Sequence, residues 1–315
     1  AAYALDRLAA EGDLVAALVR ARIDAQTGDQ RDVERARTLR LVAVLDAAGE
    51  ASQARDVLAE WTHRTPDDVE ALVRLRDVDL ATGNWPGVRE TAEMLVAATG
   101  GEAQVEATLL FVEACARTER PERARGVLEH VLTQQPFEPR LLDKLREVYV
   151  QLGAFRELAH LLLQESTQAD PERRFELSSE AGRILIEKVG DAEAAIVPLE
   201  HAHQAKPDDH KTIVALADAY TDSGRHAEAG QLLEHAINAH PKRRTPELSQ
   251  LQHRMARLAR AAGDRSLDYQ WMSASLECDK NNVDVAAELA YLAMELGEHE
   301  AALNALRAIT LAKTE

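Results

Sequence analysis

The chain carries eleven histidines, two cysteines and 54 aspartate and glutamate residues, the side chains of metal sites, thiol nucleophiles and acid–base pairs. His201 and His203 are the tightest histidine pair. Two residues apart on a helix, their side chains diverge by about 200°, so the pair cannot share a metal ion. His235 and His240 flank a helix end, where imidazoles suit the dipole. Two cysteines, Cys115 and Cys278, are too few for a disulfide framework and read as packing and as an inert thiol. The sequence has no glycine-rich phosphate loop, dinucleotide fingerprint or His-Glu-x-x-His zinc motif. Each acidic pair also fits the i,i+4 patterning of a helix surface. The one compact basic run, His240-Pro241-Lys242-Arg243-Arg244, reads as part of a solvated loop over 241–248. No catalytic residue, metal or cofactor is assigned, and the chain reads as a non-enzyme.

Composition points to closely packed helices. Of 315 residues 56 are alanine, while aromatics make up 4%, which disfavours a β-sandwich or barrel. A formal charge of −17 argues against nucleic acid and anionic membranes, which call for a positive surface. No apolar run reaches the roughly 18 residues of a membrane span. Sparse cysteine suits a reducing compartment, and the expected location is the cytoplasm. Only 7 of the 37 basic residues are lysine, a bias of high-GC bacterial genomes. The first residue is Ala1 rather than methionine, so the sequence reads as part of something longer.

Turn-like glycines recur at Gly12, Gly49, Gly83, Gly153, Gly190, Gly224, Gly263 and Gly297, with Glu119 at the expected place between Gly83 and Gly153. Each is flanked by apolar runs of helical period, about three turns long. Pro66, Pro136, Pro207 and Pro241 follow helical runs where a helix should stop. The unit is helix, tight turn, helix, break, repeated about nine times. Alternate turns recur at 71, 70, 71 and 73 residues, so the period is a pair of hairpins, one with a longer lead-in loop. Residues 176–209 carry one extra residue before Gly190.

This pattern resembles the tetratricopeptide repeat. Residues 210–243 carry it best, with Leu216-Ala217, Tyr220, Gly224, Ala229, Leu233, Ala236 and Pro241 at the family positions. Units near 35–68, 69–102, 105–138, 139–172, 176–209, 249–282 and 283–315, with a partial unit over 1–30, match more loosely. The chain departs from the family where its first-helix glycine is replaced by Arg76, Val112, Arg146 and Ala256, and where its small second-helix residue is replaced by Leu158 and Asp268. Cys115 stands at the family tyrosine, and Trp85 at its aromatic turn position. Trp61 and Trp271, on second helices, read as structural. The resemblance implies a single all-α, right-handed superhelical solenoid across 1–315, and the pairing is similar to arrays in large deltaproteobacterial proteins. Ala54, Ala124, Ala195, Ala229 and Ala302 would let helices approach, and Leu58, Leu128, Leu162, Leu199, Leu233 and Leu306 would fill the layer between units. Both ends look uncapped, as in a fragment of a longer array.

In the family the first helices line a concave groove that binds protein partners. Six residues before each turn, one row reads Asp6, Ala43, Asp77, Glu113, Glu147, Arg183 or Ile184, Asp218, Arg257, Tyr291. Four earlier, a second reads Leu39, Val73, Leu109, Asp143, Ser179 or Glu180, Val214, His253. An acidic row beside an apolar row favours a basic or amphipathic partner segment and disfavours a peptide carboxylate. The expected function is a protein-binding scaffold, by resemblance one for bacterial polarity, motility or assembly, for instance recruiting a small Ras-like GTPase. A structural spacer that self-associates through open ends, or a regulatory domain of a larger protein, are the alternatives.

Overall fold

The computed structural model describes residues 31–241 and 244–312. The expected partial repeat over 1–30, and Lys242 and Arg243 of the basic run, lie outside them. Every regular element among the described residues is helical, and the chain divides into two compact units, up to Gly153 and from Ala154.

The first unit holds α1 (Arg31–Ala47), α2 (Ala51–Arg64), α3 (Val69–Ala81), α4 (Trp85–Ala98), α5 (Gly101–Arg117), α6 (Pro121–Gln134) and α7 (Pro139–Leu152). The second holds α8 (Phe155–Ser166), α9 (Pro171–Ile184, continued by a π-helical turn over Leu185–Val189), α10 (Ala192–Ala205), α11 (His210–Asp222), α12 (His226–Ala239), α13 (Pro246–Ala261), α14 (Arg265–Cys278), α15 (Val283–Leu296) and α16 (His299–Ala312). In each unit consecutive helices pack as antiparallel neighbours.

One turn joins the helices of the hairpins. The residue after the turn glycine donates its N–H to a carbonyl five residues back, as from Asn84 to Asp79 (2.8 Å), Arg225 to Tyr220 (2.8 Å) and Glu298 to Ala293 (2.8 Å). This closure requires a left-handed backbone, which glycine adopts without steric cost. Glu119, with φ +55°, is the one non-glycine residue in that region among the described residues, and it occupies the place the repeat assigned to it. Side-chain caps then start many helices. Asp68, Asp170, Asp209, Thr245 and Asn282 accept N–H bonds at first helices, and Asn84, Asp191 and Asp264 do so at second helices.

The core follows the repeat. Ala54, Ala124, Ala195, Ala229 and Ala302 are buried, as are Leu58, Leu128, Leu162, Leu199 and Leu233. Leu306, at the same register, departs from the expectation and is 46% exposed, because no described helix follows α16. Trp61 is buried and donates its Nε1–H to Asp68 (2.9 Å). Tyr220 and Tyr149 are buried with their hydroxyls on Glu200 (2.6 Å) and Glu129 (2.8 Å). Trp85 stacks under Arg117, 4.6 Å from the ring centre. Leu158 and Asp268, both departures from the small position, are buried too, Asp268 against Arg260 at 2.8 Å.

Two expectations are corrected. The longer lead-in of alternate hairpins is helix rather than loop: α1, α5 and α13 have 17, 17 and 16 residues, against 13 or 14 in α3, α7, α11 and α15. The loop expected over 241–248 therefore ends at Thr245, the cap of α13. The extra residue before Gly190 is absorbed by the π turn, where the closing bond runs from Asp191 to Leu185, six residues back instead of five. Gly182 has no room for a side chain, since a Cβ would meet Leu199 Cδ2 at 2.6 Å, so it is the close-packed first-helix glycine of this hairpin. The insertion lies after it, which selects Arg183 and Ser179 for the two rows. Ile184 is buried.

Candidate functional site

The predicted rows lie on first helices, with graded exposure. Asp77, Glu113, Asp143, Glu147 and Tyr291 are exposed, and Leu39, Val73, Leu109, Val214, Asp218, His253 and Arg257 are half-buried. Residues four apart on a helix are offset by about 40°, so Leu39, Val73, Leu109, Val214 and His253 dip toward the core, whereas Asp143 of the same row is exposed and Asp218 and Arg257 of the other are half-buried.

In the first unit the rows border a cleft of about 460 Å³ running between α3 and α5. Val69, Val73, Leu80, Ala107 and Leu110 supply its apolar lining, and Arg76, Asp77 and Glu106 its charge. Of these, Val73 and Asp77 belong to the predicted rows, and Val69, Arg76, Leu80, Glu106, Ala107 and Leu110 do not. The lining takes Leu110 rather than its neighbour Leu109, and Leu80 belongs to a third row, three residues before the turn glycine. That row carries Val150 and Met294 as well, 56% and 61% exposed. Asp46, Glu187, Thr221 and Arg260 share that register, so the sequence held no repeating apolar signal there.

The acidic row is not bare. Asp77 pairs with Arg76 (2.7 Å), Glu113 with Arg117 (3.4 Å), Asp143 with Arg146 (2.6 Å) and Glu147 with Lys144 (2.8 Å), each on its own helix. Glu106 and Glu102 share Arg140 of α7 at 2.7 and 2.9 Å. Exposed pairs of this kind hold weakly and exchange readily for a partner's cation.

The second unit differs in kind. Asp218 is bonded by Arg257 (2.7 Å) and Arg254 (3.3 Å), and Arg257 also reaches Asp222 (3.6 Å). His253 Nε2 lies 3.4 Å from Glu288, which Arg260 bonds at 2.9 Å. Burial pushes the Glu288 carboxyl up, but the Arg260 bond and the His253 and Arg260 charges outweigh it and hold it low. The rows are thus cross-linked from α11 through α13 to α15, with Tyr291, 70% exposed, standing clear of the network.

Among the described residues no three His, Cys, Asp or Glu side chains stand close enough to hold a metal ion, and no helix is long and apolar enough to cross a membrane. Burial pushes the Cys115 thiol up to about 11 and raises that of Cys278 as well, so neither is poised as a nucleophile.

Residues 188–258, from the end of the π turn into α13, match the tetratricopeptide repeat family. No curated protein matches the sequence. Among solved structures the fold is similar to MamA MSR-1, with 19% identity over 55% of this chain and 95% of that one and a TM-score of 0.38. It is similar to BtubC from P. vanneervenii, with 12% identity, 64% and 91% covered and a TM-score of 0.44. A third is a tetratricopeptide repeat protein from Parabacteroides merdae, with 12% identity, 93% and 96% covered and a TM-score of 0.31. None of these likenesses bears on partner or role. The tetratricopeptide-repeat match covers residues 188–258, and the same turn and the same buried small and large positions recur through both units.

Proposed function

We propose that the chain is a scaffold that binds a partner protein along its first helices, gripping an amphipathic segment with basic residues. The cleft between α3 and α5 carries this reading. It is apolar in its lining and bordered by acids whose present partners are the half-buried Arg76 and the exposed Arg140. An aliphatic side chain would enter between Val73, Leu80 and Leu110, while neighbouring lysines or arginines replaced Arg76 at Asp77 and Arg140 at Glu106. The second unit, with its acids already cross-linked, would add the aromatic face of Tyr291.

The test is affinity capture from a lysate of the source organism, comparing the wild-type chain with a Leu80→Lys variant. Leu80 is exposed, so the change leaves the fold intact. Loss of a captured protein supports the cleft, and undiminished capture refutes it. The exposed Leu303 and Leu306 of α16 favour a second reading, a self-associating spacer. Light scattering that grows with concentration, and stops growing in Leu306→Lys, would favour it.

A further inference from the structure

Four of the eleven histidines, which form no metal site, converge on one pocket of about 490 Å³ in the second unit. His203 comes from α10, His210 opens α11, His235 lies on α12 and His240 caps its end. Ile213, Leu232 and Leu251 form apolar wall. Ala236 lines the pocket at the position that Trp61, Leu95 and Val131 occupy, at the same distance from their turns, in the first unit.

The four imidazoles are not equivalent. His210 Nε2 is hydrogen-bonded to Gln250 Oε1 at 2.9 Å. Beside His210 and His240 stands Glu247 of α13, whose carboxyl is held low by backbone and Thr245 bonds and by those two rings. His203 is the opposite case. Its Nδ1 is buried without a hydrogen-bond partner. It faces His235 from α12, with Asp208 of the α10–α11 loop as its compensating acid. Burial first, then His235, lower its affinity for a proton, against a weaker pull from Asp208. A group so depressed leaves stability intact at neutral pH and removes it as pH falls below the ordinary histidine range, because only the opened state takes the proton freely.

We propose that this pocket is an acid-sensitive joint: in mild acid, a proton on His203 opposite His235 loosens the packing of α10, α11 and α12 around it. The joint does not depend on the groove reading, although α11 also carries Val214 and Asp218.

Amide hydrogen exchange on the full chain tests it, at about pH 7.5 and about pH 5.5 and corrected for intrinsic exchange. Peptides from α10, α11 and α12 should open more often in acid, by up to about tenfold per pH unit for one coupled proton. Those from α3 to α5 should not. His235→Gln, at an exposed position, should shrink the effect, and His203→Gln should abolish it. Should His203→Gln not fold, the His203 ring proton titration decides: a midpoint below that of an exposed histidine supports the joint. Equal exchange at both values, acceleration spread over both units, an effect unchanged in the variants, or an ordinary His203 midpoint would each overturn it.

Discussion

Glu119 shows how far a single residue can be read. Its place in the spacing of turn glycines assigned it a left-handed backbone, and its φ of +55° supplies one. An L-residue in that region costs about 1–2 kcal/mol, and glycine returns about 0.5–1 kcal/mol of that through its freer unfolded chain. Glu119→Gly should therefore stabilise the first unit by roughly 0.5–1 kcal/mol in urea unfolding. Leu233, fully buried between hairpins, should behave in the opposite way, with Leu233→Ala costing about 2–5 kcal/mol through the cavity it leaves. Asp68 links charge to stability. Burial raises its carboxyl, but bonds from Arg35, Trp61 and the Ala71 N–H outweigh that and hold it below the ordinary aspartate value. A depressed carboxyl contributes stability above its unfolded value of about 4 and loses it as pH falls through the folded value. The acid limb of a pH–stability curve should be shallower in Asp68→Asn than in wild type. What the sequence could not show at this scale is pairing: Asp77 and Glu113 look like free acids in a chain of −17, and only coordinates place Arg76 and Arg117 on them.

At the scale of the element, periodicity made hairpins, turns and the alternation of long and short units legible. It assigned the extra lead-in residues to a loop where the structure has helix, because such a stretch reads equally as loop or as helix. The lead-in before Gln104 shows this: it belongs to a 17-residue helix that starts at Gly101. The π turn is the same ambiguity with one residue. If it houses an insertion, deleting the exposed Ile186 should restore an ordinary α-helix between Gly182 and Gly190. Circular dichroism and melting should then stay close to wild type. Deleting Ala215 from α11, where no bulge can absorb the loss, should rotate Leu216 and Tyr220 off the core by about 100° and unfold that hairpin.

For the whole molecule, stacked hairpins give stability without fixing function. The candidate face was partly legible: the spacing places two rows on the first helices, where their residues are exposed or half-buried. The third row, with Leu80, was not, because its exposure reflects packing geometry that no composition rule reports. The proposed seating of a partner in the acidic and apolar cleft of the first helices is tested by affinity capture with the wild-type chain beside Asp77→Lys/Glu113→Lys/Glu147→Lys, its fold checked by circular dichroism. A protein should be retained by wild type and lost from the folded triple variant; a protein retained equally by both would refute the seating.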